Sequence, residues 1–572
     1  MINQKGFEGR WKVSKKLNRK ELDSDNGLSP LATQMLHNRG IFGEIREVFL
    51  DKYNGWKPQD STKMAGMKQA VDMVNTAIST EQKIVVVGDY DADGITSSVL
   101  MYHALSKFNA NYEILIPNRE IGYGLSSSIM KQVYELEPSL VITVDCGISN
   151  INEIFELQNM GIDVIVIDHH EPKEVLPNCI VVNPKQDGDK YPFKHFSGVG
   201  LVWKFISQLN TVINDVNLRE DELLDLVAIG TVADMVPLEY ENRYLVSHGL
   251  AQMNRANRTG VSELIKRGYG SDIDETTIGF TIAPLINAAG RVGNPKIAYE
   301  LLILNGGEND KKRAKEIVNE LYELNVSRKK QQAKIVESLE LPDFSDRFSF
   351  VHWDQDYVGG IVGLIAGDIS RNHYRVCFIG HQVNDESIAF SGRSIPEISI
   401  VEILGKIDKE SDCLISFGGH KGAGGCLVDS KKVDQFSELV EKYSSELADD
   451  INKMVPSFDI EGVINLKAVS KDTVYEINKL GPFGMNFPKP LFMTENVKVL
   501  GVTLLGKHIK IKLNDGKKEI DSIAFFKSEW SDHIKAGDMI DIVFEIGINE
   551  WRGVKTLQLN LKDFRFSEDG TV

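Results

Sequence analysis

The segment VIVIDHH, Val164–His170, sets an unbroken β-branched run directly against an aspartate and two histidines. A short Val/Ile run without alternation reads as a strand buried on both faces, which is the pattern of a parallel sheet. Three further stretches end on carboxylates in a related way. IVVVGDYDAD places Asp89, Asp91 and Asp93 after Ile84–Val87, VITVD places Asp145 after Val141–Val144, and the helical pattern LLDLVAIGTVAD ends on Asp234. Ligands of parallel sheets sit at the carboxyl ends of the strands. Acids and histidines at several such ends are what a two-metal hydrolytic centre requires, so the chain reads as a metal-dependent phosphoesterase.

Singly, Asp145 or Asp234 reads as readily as a helix cap or a turn residue. Together with the histidines they support one another, because neighbouring strand ends converge on one crevice. DYDADG also matches the opening of a calcium loop. That loop needs a bidentate Glu at its twelfth position, where this chain has Leu100, and it follows a helix rather than a strand. Adjacent His169 and His170 point in different directions, so one is expected to ligate and the other to face the substrate phosphate or orient the ligand shell. Carboxylate and imidazole donors without thiolate suit two Mn²⁺ or Mg²⁺ ions, roughly 3.5–4 Å apart.

The chain has 572 residues with 42% hydrophobic and 26% charged, the composition of a multidomain globular protein. Five scattered cysteines without a CxxC pair argue against a disulfide framework and a thiolate zinc site. With no apolar run of spanning length and no signal-type start, the expectation is a cytoplasmic protein without membrane contact. The net charge of −17 disfavours an overall basic clamp on nucleic acid, while leaving room for a local basic groove.

Alternating strand and helix patterns from 83 to about 185 predict βαβ units, and residues 198 to 330 read as mostly helix. Asn309 to Leu339 reads as one long solvated helix. A second α/β segment with glycine-rich turns follows, including GGHKGAGG (Gly418–Gly425), read as a tight turn or a phosphate-approaching loop. Short strands from about 458 onwards fit a small OB-type barrel. Its lysines 507, 510, 512, 517 and 518, with Phe525, Phe526 and Trp530, suit single-strand stacking or plain barrel core.

DYDADGITSS, VITVDCGIS, VIVIDHHEP, IGTVADMVPL, PLINAAGRVGNP and GGHKGAGG, in this order, resemble the motifs of the DHH phosphoesterases, in particular their bacterial single-strand-specific exonucleases. The resemblance implies an α/β fold: a parallel-sheet DHH domain (81–305) and a DHH-associated α/β domain (343–450) joined by a long helix (306–342), then an OB-fold β-barrel (455–572). A mostly helical lead-in (1–80) precedes them. It implies a dinuclear site of Asp89, Asp91, Asp93, Asp145, His169, His170 and Asp234, with Arg291 and His420 handling the scissile phosphate and neighbouring nucleotide. Arg119, Ser391 and Arg393 fall where the family recognises a 5′-terminal phosphate. The implied activity is 5′→3′ degradation of single-stranded DNA to mononucleotides in recombination and repair, with a RecQ-like helicase and the single-strand-binding protein as partners. The alternative within the family is a phosphodiesterase of short oligonucleotides or cyclic dinucleotides. One departure stands out: GMNFP (Gly484–Pro488) carries Asn486 where the family has a second glycine.

Overall fold

The Val/Ile runs form strands because β-branched side chains, Thr143 among them, pack well on a pleated surface. In the computed structural model, Lys83–Val87, Asn111–Leu115, Leu140–Val144, Asp163–Ile167 and Ile180–Val182 make one all-parallel sheet. The structure describes residues 9–18, 22, 28–51, 55–119, 122, 124–213, 218–255, 258–267, 273–448, 450–451, 454–551 and 554–567. They divide into two units. One comprises Phe42–Lys329 with Pro482–Pro488, and the other holds the remaining described residues.

In the first unit the strands lie in the order Asn111–Leu115, Lys83–Val87, Leu140–Val144, Asp163–Ile167, Ile180–Val182. Chain order therefore reverses between Lys83–Val87 and Leu140–Val144, which makes their carboxyl ends the topological switch point. Ile84, Val86, Ile142 and Ile165 face one apolar cluster, and Val85, Val87, Val141 and Val164 face another. Both faces are thus covered at the three central strands, which is why these lack polar alternation, whereas edge strand Asn111–Leu115 leaves Asn111 and Glu113 exposed. Helices Ala92–Lys107, Gly198–Val212 and Leu224–Ala233 pack into the first cluster. The motif GMNFP closes a small turn in this unit, with Gly484 N–H donating to the Phe487 carbonyl at 2.9 Å. Asn486 adopts φ +61°, a left-handed conformation that asparagine tolerates, so the turn closes here without a glycine at that position.

The second unit contains a five-stranded sheet in the order Leu414–Gly419, Ala423–Asp429, Ser387–Arg393, Val376–Asn384, Ser349–Asp354. GGHKGAGG lies in the hairpin of its first two strands, with His420 in the turn. The helix Glu308–Ser338 runs from the residues of the first unit into those of the second. Leu491–Leu505, His508–Asn514, Glu519–Ala524, Val554–Phe566 and Met539–Trp551 form a closed five-stranded barrel, the last strand pairing back onto the first. The lead-in is mostly helical among its described residues, but Arg10–Val13 is a strand. It pairs in parallel with Ser457–Val463, which extends the barrel sheet. Four residues are too few to show a strand period, and the partner lies more than four hundred positions away, so local pattern could not reveal it.

Candidate metal centre

Each acid of the sequence reading is placed by the element it terminates. After Lys83–Val87 the chain turns through Asp89 and Tyr90 to Asp91, which caps helix Ala92–Lys107. Its Oδ1 accepts from Asp93 N at 3.0 Å and Gly94 N at 3.1 Å. Asp93, in the first turn, receives Gly198 N–H at 2.7 Å and Val199 N–H at 2.9 Å from the amino terminus of helix Gly198–Val212. That end of a helix favours a carboxylate. A Cβ on Gly198 would lie 2.3 Å from Asp145 Oδ1, so the close approach demands glycine.

Asp145 leaves its strand at φ +58°, a left-handed backbone that an aspartate adopts more easily than a branched residue. Its N–H is tied to the Ile167 carbonyl at 2.9 Å, which couples two strand ends. Asp234 caps the carboxyl end of Leu224–Ala233. His169 Nε2 then lies 3.2 Å from Asp145, 3.5 Å from Asp234 and 3.9 Å from Asp93. Donor atoms gather in three overlapping groups, each within 4.8 Å: Asp145 with His169 and His170, Asp93 with His169 and Asp234, and Asp89 with Asp91 and Asp145.

Burial pushes the carboxyls of Asp89, Asp145 and Asp234 well above the ordinary range, and neighbouring acids add to it. Asp93 is raised to about 7 by the same two causes, burial first and Asp91 second. Asp168 differs. Burial disfavours its charge, but the hydrogen bond and charge of His170 and the charge of His169 bring its pKa below the usual value. Hard carboxylate oxygens crowded beside two imidazoles, their repulsion unrelieved by one another, fit a pair of Mn²⁺ or Mg²⁺ ions.

The structure thus brings together Asp89, Asp91, Asp93, Asp145, His169, His170 and Asp234. His170 is not turned away, for it shares a donor group with Asp145 and His169. Asp168 is an addition that the sequence reading did not assign a role. Fully buried, it accepts from His170 Nδ1 at 2.7 Å and from His170 N at 3.0 Å, leaving Nε2 of that ring for the cluster. An aspartate two residues before a loop histidine is the Asx-turn signal that could have found it. Asn287 is a second addition, its Oδ1 accepting from Ala92 N at 2.8 Å.

Arg119 and Arg291 line a pocket of about 110 Å³ with Asp89, Tyr90, Asp91, Asn287 and Gly290. Ser391, Arg393 and His420 lie in the second unit. There Ser391 pairs with Gly425 and Arg393 with Ala423, and Arg393 Nη1 donates to Ser391 Oγ at 3.1 Å. On the barrel, Lys510 pairs with Asp521 at 2.9 Å and Lys512 with Glu519 at 2.8 Å, so its surface is less basic than the lysine count suggests. Trp530 is barrel core, while Phe525 and Phe526 are 47% and 68% exposed, both edge-on to His508. No described helix is long and apolar enough to cross a membrane.

Three family models match the chain: the DHH family N-terminal domain over residues 83–231, the DHHA1 domain over 347–446 and the RecJ OB domain over 460–563. The single-stranded-DNA-specific exonuclease RecJ of Bacillus subtilis is 35% identical over 562 residues, covering 96% of this chain and 70% of that protein. Its namesake from Salmonella typhimurium is 31% identical, covering 96% and 99%. Thermus thermophilus RecJ in complex with Mn²⁺ superposes with a TM-score of 0.82 at 27% identity, over 98% of this chain and 80% of that one. The same protein with Mg²⁺ gives 0.76 at 25% identity, over 98% and 79%. With all three domains in order, and identity sustained over nearly its whole length, this chain belongs to the RecJ family of DHH proteins.

Proposed function

We propose that this protein is a metal-dependent, single-stranded-DNA-specific exonuclease that releases mononucleotides from the 5′ end, acting in recombination and repair. The observation that carries the reading is the convergence of five carboxylates and two imidazoles at the switch point of the sheet, in a chain of this family. When bound, Mn²⁺ or Mg²⁺ supplies Lewis-acid activation of the attacking water and the scissile phosphate. Asp89, Asp91, Asp93, Asp145, His169 and Asp234 hold the two ions. His170, oriented by Asp168, presents Nε2 to the reacting phosphate as a hydrogen-bond donor. Arg291 and Arg119 offer forked donors to phosphate oxygens beside Asp89 and Asp91, with Arg119 taking the 5′-terminal phosphate. Ser391, Arg393 and His420 are the phosphate-binding residues of the second unit. Phe525, Phe526 and His508 give the barrel an exposed ring surface suited to unpaired bases. A RecQ-like helicase and a single-strand-binding protein are the partners such an enzyme needs, because it acts on strands that must first be opened and kept open.

The test is incubation with Mn²⁺ and a 3′-labelled, 5′-phosphorylated DNA, single-stranded or in blunt duplex, beside an EDTA control and a dinucleotide. Shortening of the single strand from its 5′ end, with the duplex spared and EDTA blocking the reaction, is the expected result. Cleavage of the dinucleotide alone would sink the reading and place the protein among small-substrate phosphodiesterases.

A further inference from the structure

Within the pocket beside the acid cluster, the two arginines are held differently. Arg291 belongs to helix Ala283–Val292, whereas Arg119 lies beyond strand Asn111–Leu115, with an exposed side chain. Among the described residues no hydrogen bond or ion pair ties Arg119 down, and its contact is the ring of Tyr90, whose centroid lies 4.6 Å from Cζ. Tyr90 itself is well seated. It is partly buried between Asp89 and Asp91, and Gly290 brings helix Ala283–Val292 so close that a Cβ there would stand 2.3 Å from the Tyr90 carbonyl and 3.4 Å from its ring.

We propose that Tyr90 is a positioning residue that holds the Arg119 guanidinium at the mouth of this pocket, and so sets the preference for a strand bearing a 5′-phosphate. The proposal rests on the reading of Arg119 given above. A cation over a ring face is attracted by the ring's quadrupole, while its N–H groups, which lie in the guanidinium plane, stay available. A carboxylate partner would instead occupy the fork that phosphate needs. Tyr90 thereby restricts a long, mobile side chain without consuming its donors, and the ring rather than the hydroxyl performs this role.

Full-length wild type, Tyr90→Phe, Tyr90→Leu, Arg119→Ala and the Tyr90→Leu/Arg119→Ala double variant are compared on a short 3′-labelled single strand carrying a 5′-phosphate or a 5′-hydroxyl. Binding is read by anisotropy in EDTA, and turnover separately with Mn²⁺. The readout is the ratio between the two strands, which divides out any change common to both. Tyr90→Leu is expected to reduce that ratio about three- to tenfold, through Kd in EDTA and KM in turnover rather than kcat. Tyr90→Phe should keep it within about twofold, and the double variant should match Arg119→Ala alone. An unchanged ratio in Tyr90→Leu beside a reduced one in Arg119→Ala overturns the role of Tyr90 alone. Equal losses in Tyr90→Phe and Tyr90→Leu, or additive losses in the double variant, overturn it too. An unchanged ratio in Arg119→Ala overturns the assignment of Arg119, and the proposal with it.

Discussion

Helix Leu224–Ala233 has an acid at each end, Asp225 buried and Asp234 half-buried, and the two are treated in opposite ways. At its start, Asp225 faces Arg258, with Nε 2.9 Å from Oδ2, and lies in a first turn where the helix dipole favours negative charge. At its end, Asp234 sits where the dipole disfavours negative charge, facing His169 and the repelling field of Asp93 and Asp91. The first acid belongs to the scaffold. The second is held in an environment that its own fold penalises, and a divalent cation relieves that penalty. One helix therefore shows how to tell a structural acid from a ligand: the scaffold sets an ion-paired arginine against one and crowds the other with carboxylates.

The comparison breaks most visibly at the ligand end. Asp145→Asn keeps the left-handed backbone but removes a charge present in two of the donor groups. Nuclease activity should fall on the order of 10³-fold or more, as loss of several kcal/mol of metal-based stabilisation requires. In EDTA, by contrast, its melting temperature should equal or exceed that of wild type, because one repelling acid has gone. Mn²⁺ should raise the melting temperature of wild type much more than that of the variant. A variant that melts lower in EDTA would mean that the acid stabilises the fold by itself.

At the scaffold end the signs reverse. Asp225→Ala leaves Arg258 buried beside His103, whose pKa is depressed to about 3 by burial and by that arginine, so the imidazole cannot share a charge. Stability should drop by about 3–5 kcal/mol in urea unfolding, with activity retained by the folded fraction. A loss of catalysis without a loss of stability would erase the distinction between the two ends.

The smallest effect concerns a third acid, buried in the barrel. Asp563 accepts Trp11 Nε1–H at 2.7 Å, and burial raises its pKa to about 7. Since the folded form holds its proton more tightly than the unfolded chain, this group costs stability progressively as pH rises from about 4 to about 7. Asp563→Asn keeps an acceptor for Trp11 and removes the titration. It should be about 1–3 kcal/mol more stable than wild type at pH 8, with the difference vanishing near pH 4. Urea midpoints at the two pH values check this, and a pH-independent difference would show that the carboxyl does not titrate in this range.

Much of the catalytic sheet was legible because parallel strands buried on both faces are rich in β-branched residues, and because most of the acids follow them within a few residues. Asp89, Asp145 and His169 could be named as converging from that logic alone. The barrel was legible from its run of short strands, but not the fate of its rings: Trp530 and Phe526 are four residues apart, one in the core and one in solvent. Arg10–Val13 escaped because its partner strand is remote in sequence.

The sequence by itself determined which residues could carry the chemistry, since strand-end acids and histidines are local facts of order and spacing. Tertiary structure alone decided how they are used. It set the strand order that brings Asp89 and Asp145 to one crevice, the hydrogen bond by which Asp168 orients the ring of His170, and the ring on which Arg119 rests. The physical reason is range. Propensity and periodicity act over a few residues, whereas repulsion between carboxylates, orientation of an imidazole and placement of a guanidinium depend on distances that only chain crossings fix.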